Sequence, residues 1–216
     1  MLGIRFDSTT SRSNNFMEGS VCENVFCEAV MTARELGSMT VNVDVMGFDT
    51  ETYDDYGKIG ELVFSAFGRN SCNLNPYAKT FDKFDHSGQL GFVMDADGDT
   101  YECYKILEKM YSKIRIDPVV CDVDEDVHII CFHRFFINPE YRDKGVGKCI
   151  TQNLSKILYT AANIKPLYVV GVLAPDDKTD ETKKIQKKTM KSAKMILGKH
   201  NGQDVFAGCI FDEELM

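Results

Sequence analysis

Hydrophobic positions in the second half of the chain alternate between apolar runs typical of strands and spacing typical of helices. Val127–Ile137 and residues 167–173 are apolar runs typical of buried strands, and residues 205–211 predict a further strand. Helical spacing of apolar residues marks residues 146–162 and 180–197, which lie between these strands. Strands that alternate with helices predict a mixed α/β sheet.

The first half of the chain gives a second set of predicted elements. Ser20 and Glu23 form a capping box ahead of helically spaced apolar residues, which predicts a helix over residues 21–36. A similar capping pair predicts a helix over residues 99–114. The other expectations are strands at residues 39–46, 90–94 and 118–123, a helix at residues 53–67 and a long loop at residues 68–87.

Charge is distributed unevenly along the chain. The 216 residues carry 25 basic and 33 acidic side chains, a net charge of -8. Up to Asp126 there are 11 basic against 23 acidic residues, and from Val127 there are 14 against 10. A general nucleic-acid-binding protein needs a basic face that displaces counterions, so this balance argues against one.

Other features of the sequence limit the compartment and the partners. No apolar run approaches the length of a membrane span, and the first residues lack the apolar core of a signal peptide. The eight cysteines are scattered and favour reduced thiols, so we expect a cytoplasmic protein without a membrane partner. His128 and His133 face opposite sides of a predicted strand, so no metal site is expected. A homodimer is compatible with the chain.

The strongest chemical signal lies between the strand Val127–Ile137 and the helix that follows it. The segment 137–148 reads INPEYRDKGVGK, with Gly145 and Gly147 at the start of the helix. Unpaired amide groups at such a start favour a phosphate or pyrophosphate. Lys144 and Lys148 add positive charge beside it.

Two interpretations of this loop do not involve coenzyme A. A nucleotide-binding P-loop, G-x-x-x-x-G-K-[ST], would need glycine where Arg142 stands and a magnesium-binding hydroxyl where Cys149 stands. A plain glycine turn would bind no ligand, but it would not require the surrounding residues. Both alternatives stay open at the level of sequence.

The same segment closely resembles the signature of the GNAT superfamily of acetyltransferases, [QR]-x-x-G-x-[GA]. Arg142, Gly145 and Gly147 match the signature, and Ile137, Pro139 and Tyr141 match the family's usual approach to it. The resemblance is sharp over residues 127–162 and weak before residue 118.

The resemblance implies a fold and a division of the chain. We expect a mixed α/β (α+β-like) GNAT fold, with a mostly antiparallel mixed sheet splayed between strands 127–137 and 167–173 and helices on both faces. Residues 39–216 would form the acetyltransferase domain, with an inserted helix near residues 99–114. Residues 1–38 would be an N-terminal extension that carries the helix 21–36.

The resemblance also implies acetyl-coenzyme A as the cofactor. Amides of the loop would bind its pyrophosphate, and the end of the preceding strand would pair with its pantetheine arm. The residues expected to bind it are Phe135, Phe136, Ile137, Arg142, Asp143, Lys144, Gly145, Val146, Gly147 and Lys148.

An amine that attacks a thioester must lose a proton, and the thioester carbonyl needs a hydrogen-bond donor. Family members often carry the proton acceptor on this strand, where His133 and Cys131 stand here. His133 is preferred because imidazole titrates near neutral pH, although a merely structural histidine is an equal alternative. The backbone N–H of Ile137 would serve the carbonyl. Strand alternation predicts that Cys131, His133, Phe135 and Ile137 share one face.

One departure from the family leaves activity open. The helix 180–197 has no tyrosine to protonate the leaving thiolate, so Tyr168 or water would have to serve. From the resemblance, the chain is nevertheless expected to be an N-acetyltransferase acting on a primary amine of a small molecule or a protein lysine. The alternative is a weak or inactive coenzyme A-binding module. The acidic first half favours a cationic amine.

Overall fold

The computed structural model describes residues 2–5, 27–33, 38–49, 52, 54–95, 97–116, 127–174 and 179–212. The strands are β1 (Leu2–Arg5), β2 (Cys27–Ala33), β3 (Ser38–Asp49), β4 (Asp55–Gly68), β5 (Val127–Ile137), β6 (Lys165–Val172), β7 (Ile196–His200) and β8 (Gln203–Cys209). The helices are α1 (Arg69–Cys72), α2 (Phe81–Phe84), α3 (Gln89–Met94), α4 (Gly98–Ile114), α5 (Val146–Gln152), α6 (Leu154–Ala162) and α7 (Asp180–Ser192).

These strands form a single sheet of mixed direction. Its order is β1-β3-β4-β5-β6-β8-β7, and β2 also pairs with β3. The β5–β6 pair is parallel, and the other pairs among the described strands are antiparallel. The predicted mixed, mostly antiparallel sheet is confirmed. Both described strands from the first 38 residues pair with β3, so this part of the chain extends the same sheet.

The two parallel strands separate along their length. Their pairing runs from Val127 opposite Lys165 to Phe132 opposite Gly171. Beyond Phe132, β5 continues to Ile137 beside β4, without a partner in β6. The predicted splay is therefore confirmed, and we call the space between the separated ends the β5–β6 gap.

Helices cover both faces of the sheet, as expected. On the face we call the α5 face, α5, α6 and α7 bury Ile150, Leu158 and Met190 against β3, β4 and β5. On the opposite face, the α4 face, α4 packs with the short helices α1–α3 against β5, β6 and β8. The predicted helix 99–114 thus exists as α4. Its N-cap is Asp97 and not Asp99, and Asp97 Oδ1 accepts from the N–H of Asp99 in the first turn.

Two predicted helices in the first half are strands. The described part of the predicted helix 21–36 is β2, which pairs with Met39–Val45 of β3; the rest of that prediction lies outside the described residues. The predicted helix 53–67 is β4, which pairs with β3 on one edge and β5 on the other and is buried on both faces toward its end. Pairing within the sheet outweighs the local helical spacing in both segments.

The short apolar segment predicted as a strand at residues 90–94 is instead the helix α3. The carboxylate of Asp85 accepts the amide protons of Leu90 and Gly91, each at 3.1 Å, and so satisfies the start of the helix. The strand predicted at residues 118–123 lies outside the described residues.

The second half follows the prediction more closely. Strands β5, β6 and β8 and the helical stretch 146–162 are confirmed, with a break between α5 and α6 at Asn153, and β3 is confirmed in the first half. The helix predicted to reach residue 197 ends at Ser192, because Lys194 adopts a left-handed conformation with φ of 60°. The strand β7 that follows was not predicted.

Two further expectations concern cysteines and membranes. Cys72, Cys103 and Cys131 are free thiols, but Cys149 is disulfide-bonded, so the expectation of reduced thiols is wrong at Cys149. Within the described ranges, no helix combines the length and the apolar character needed to cross a bilayer.

Candidate functional site

A short irregular loop joins β5 to α5. After Ile137 the chain makes a 3-10 turn (Pro139–Tyr141) and then passes through Asp143 and Gly145, whose φ angles are 59° and 81°. Gly145 is the N-cap of α5, which begins at Val146. A left-handed conformation is cheap for glycine and costs other residues about 1 kcal/mol, so the sequence places glycine where this start requires it.

Arg142 braces the loop. Its Nε donates to the carbonyl oxygen of Ile137 at 2.8 Å, and its guanidinium lies 5.5 Å from the ring centre of Phe136. Lys144 lies in a similar way 5.1 Å from the ring centre of Tyr141. These contacts tie the loop to the end of β5 and keep both cations at the exposed start of α5.

The backbone of β5 is oriented toward the β5–β6 gap at alternate residues. Asn138 N–H donates to Ile59 O of β4 at 2.8 Å, and the carbonyl of Phe136 also lies against β4, beside Gly60. Peptide groups of a strand alternate in direction. The N–H groups of Phe135 and Ile137 are therefore directed away from β4, into the gap.

Gly147 lies where the loop, the gap and α7 meet. A Cβ atom at this position would lie 3.7 Å from the ring of Phe135 and 3.9 Å from Cγ2 of Thr189, which is ordinary contact distance. Near it, and sharing Phe135 as a lining residue, lies a small apolar cleft of about 10 Å³, room for one water molecule. The cleft is lined by Leu62, Phe132, Phe135, Ile150, Thr151, Leu154, Met190, Met195 and Phe206.

A β-bulge at His133 interrupts the alternation of β5. Phe132 pairs with Phe64 and Arg134 pairs with Val63, so His133 is an extra residue between adjacent pairs. Before the bulge, Cys131 belongs to the core on the α4 face; after it, Phe135 and Ile137 pack against the core on the α5 face. The prediction that Cys131, Phe135 and Ile137 share one face is therefore wrong.

His133 itself is half-buried on the α4 face. Its Nε2 lies 2.8 Å from Oγ of Ser65 in β4, and Ser65 is only 2% exposed. Ser65 stands opposite Cys131 in the pairing register, on the same side of the sheet. The sequence did not single out Ser65, because only the pairing of β4 with β5 brings it to His133.

Cys131 is a poor candidate for moving a proton. It is fully buried and bonded through its thiol to Cys103 of α4, and burial raises its pKa well above the ordinary value. A thiol that stays protonated and out of reach of solvent has little capacity to act as a base.

A line of alternating charges lies beside His133. Arg134 contacts the Glu61 carboxylate at 2.7 Å, and Lys58 joins Glu61 to Asp44 with contacts of 2.8 and 2.7 Å. The hydrogen bond from Lys58 lowers the pKa of Glu61. Each carboxylate in this line is therefore already matched by a cation.

The expected tyrosine acid has no replacement on α7. Tyr168, the substitute considered from the sequence, is fully buried on the α4 face. Its hydroxyl accepts the amide proton of Ile116 at 3.1 Å, and burial raises its pKa. Tyr168 therefore has a structural role in the core, and its hydroxyl lies out of reach of the β5–β6 gap.

Comparisons with known proteins give distant matches. No family model matches the sequence, and no curated protein matches it. Among solved structures, the chain is similar to Arabidopsis thaliana NAA60 in complex with acetyl-CoA, at 11% identity and a TM-score of 0.38, covering 79% of this chain and 76% of that one. For the same protein with a bisubstrate analogue the values are 10%, 0.36, 80% and 75%. Scores this low establish no shared function. The function proposed for this chain therefore rests on its own strands and loop.

Proposed function

We propose that the protein is an N-acetyltransferase that transfers acetyl from acetyl-CoA to a primary amine. The observation that carries the proposal is the β5–β6 gap, which opens directly beside the glycine-containing start of α5. An extended pantetheine arm needs a strand edge with free amides, and a pyrophosphate needs amides at a helix start. Both features meet at one place in this fold.

The residues present suit the cofactor. The loop Asp143–Lys148 would hold the pyrophosphate through its amides, with Lys144 and Lys148 adding charge. The amides of Phe135 and Ile137, directed into the gap, would hold the pantetheine arm and the thioester carbonyl. The space beside Gly147 fits this role, since any larger residue there would reduce the room left between Phe135 and Thr189.

Bound acetyl-CoA supplies an activated acyl group, and a side chain of this protein takes up the proton that the acceptor amine loses. As the amine nitrogen bonds to the acyl carbon, the carbon–sulfur bond breaks with its electron pair going to sulfur. The thiolate that leaves would take a proton from water, and the amine loses a proton. His133 lies on β5 four positions before Ile137 and is the residue we assign to take that proton, directly or through water. The burial of Cys131, which the sequence also suggested, supports His133 over Cys131 for this role.

Calorimetric titration with acetyl-CoA tests the binding part of the proposal. We expect saturable binding by the wild-type protein, and a loss of at least about tenfold in affinity for Gly147→Ala, because its methyl group occupies space meant for the cofactor. Gly98→Ala is the matched control: a Cβ there has no neighbour within 4 Å, and the position lies at the start of α4.

Three results would count against this proposal. They are the absence of heat with acetyl-CoA, equal affinities of the Gly147→Ala and Gly98→Ala variants, and magnesium-dependent binding of ATP at the same site. The last result would favour the P-loop alternative instead. Circular dichroism of both variants shows whether the fold is kept, since neither methyl group meets a short contact.

A second candidate function is a coenzyme A-binding module without catalysis. It is favoured by the lack of a tyrosine on α7 and by the burial of Tyr168. Thiol release from acetyl-CoA, measured over a panel of amines, separates the two. We expect turnover that falls at least about a hundredfold in His133→Ala while the affinity for acetyl-CoA stays unchanged. Binding without turnover by any amine would favour the module.

The acceptor is proposed to be a cationic amine. This rests on the excess of acidic residues before Val127, which supplies the first four strands of the sheet. The neighbours of His133 add no net charge of their own, since Asp44 and Glu61 are paired with Lys58 and Arg134. A panel of amines of different charge, read by kcat/KM, decides this point.

A further inference from the structure

Three polar side chains form a row across the strands next to the proposed site. Thr40 of β3 stands directly opposite Ser65 of β4, and Ser65 contacts His133 of β5. Directly opposed residues of an antiparallel pair lie on one face, with Cβ atoms about 5 Å apart, close enough for hydroxyl groups to bond. The row therefore runs from His133 on β5 through two hydroxyl groups to β3.

The hydroxyl of Thr40 has an unused bonding capacity. Its Oγ1 is buried and makes no hydrogen bond to any described residue. The Oγ of Ser65, in contrast, bonds to Nε2 of His133. A buried hydroxyl proton that is left unpaired is costly. With Thr40 unpaired, we take Ser65 as the donor to Nε2, and the neutral ring then carries its proton on Nδ1.

A charged ring requires the opposite arrangement. A protonated imidazole carries hydrogens on both nitrogens, so Nε2–H must donate to Ser65 rather than accept from it. Ser65 then has to turn its own hydrogen elsewhere, and Thr40 Oγ1, buried and on the residue directly opposite Ser65, is an acceptor available to it.

We propose that Ser65 and Thr40 are positioning residues for His133, and that the Ser65 hydroxyl turns from the ring to Thr40 when His133 takes up a proton. Ser65 keeps its hydrogen throughout, and the ring gains the proton that the amine loses. The inference rests on the proposed role of His133 as the base, but it concerns the ring itself. It can therefore be tested in the protein without cofactor or acceptor.

Charged and titratable groups near the ring set the background of this titration. Arg134 follows His133 on β5, and Glu61 of β4 pairs with Arg134. Cys131 lies on the same face, bonded to Cys103 of α4. None of these groups bonds to the Ser65 hydroxyl, so substitutions at Thr40 leave them in place.

The experiment is a pH titration of the histidine ring signals by NMR, with His133→Gln used to assign the signal among the four histidines. Thr40→Val keeps the shape but removes the acceptor, so we expect the titration midpoint of His133 to fall by roughly half to one pH unit. Thr40→Ser keeps the hydroxyl and should titrate like the wild type. Thr40→Ala replaces Thr40→Val if valine packs poorly.

The decisive comparison measures the shift caused by Thr40→Val in the wild-type protein and again in a protein that already carries Ser65→Ala. Because the effect passes through Ser65, Thr40→Val in that background should leave the midpoint where Ser65→Ala alone puts it. An unchanged midpoint in Thr40→Val, or an equal shift with and without Ser65, would overturn the proposal. A protein that titrates as expected but transfers no acetyl group would instead contradict only the proposed function.

Discussion

The hydroxyl of Tyr168 shows how one polar atom can hold two layers together. It accepts the amide proton of Ile116, just beyond the end of α4, while its ring packs edge-on against Phe84 and Tyr111 with centroids at 5.7 and 5.8 Å. The strand β6 is thereby joined to the chain that leaves α4. This explains why a tyrosine considered for catalysis belongs to the core.

We expect Tyr168→Phe to lower the free energy of unfolding by about 1–3 kcal/mol, because it keeps the ring but leaves the buried amide of Ile116 unpaired. Urea denaturation measures the difference. Tyr159→Phe, at a half-buried position on α6, is the control and should stay within about 0.5 kcal/mol of the wild type. Equal stabilities of the Tyr168 variant and the wild type would contradict the assigned role.

Individual residues also mark the limit of prediction from sequence. Arg142, Gly145 and Gly147 could be found because their spacing is local and tied to a helix start. The face of His133 could be predicted only as far as strict alternation holds, and the bulge ends that alternation. Ser65 and Thr40 could not be found, since their contact depends on the register of three strands that are distant in sequence.

At the scale of elements, an acidic clip connects α7 to the edge of the sheet. The carboxylate of Asp204 on β8 contacts Nζ of Lys187 on α7 at 2.7 Å and Nζ of Lys199 on β7 at 2.8 Å. Hydrogen bonds from these two lysines hold the pKa of Asp204 below its ordinary value of 3.8. The clip holds in place the helix that lines the apolar cleft through Met190.

Asp204→Asn is expected to cost up to about 1 kcal/mol of stability at neutral pH, as for a partly exposed ion pair. A lowered pKa in the folded protein means that this contribution is complete above pH 3.8 and is lost as the pH falls below it. Thermal unfolding of both proteins from pH 7 to pH 3 should therefore show a difference in Tm that becomes smaller toward the acid end.

The control for this clip is Glu108→Gln, which breaks an exposed pair with Lys105 within α4. It should change the Tm little at any pH. A difference between Asp204→Asn and the wild type that persists undiminished at pH 3 would show that the carboxylate charge is not its cause.

A strand could be predicted from the sequence where one of its faces is buried and the other is exposed. β3 alternates between buried and exposed residues over 41–45, so its strand period is visible in the sequence. β4 is buried at Phe64, Ser65, Ala66 and Phe67 in succession, so the period disappears and a helix was predicted instead. The helix α3 was missed because its capping carboxylate, Asp85, stands well upstream of the segment that it stabilises.

On the scale of the whole molecule, the fold class followed from the order of elements in the second half. The mixed sheet, its splay and the helices on both faces were predicted correctly, although β2, β4 and α3 were assigned wrongly. Correct class and incorrect elements are compatible, because the class depends on the parallel pair and the helix between its strands. The division of the chain at residue 38 stays a prediction.

The position of α1–α4 in the chain has a consequence for folding kinetics. β4 and β5 are adjacent in the sheet, but residues 69–126 separate them in sequence. Closing a segment of this length costs entropy before any pairing rewards it, and such non-local contacts slow folding. We therefore expect the β4–β5 ladder to form late, and the contact between Ser65 and His133 to be completed among the last steps of folding.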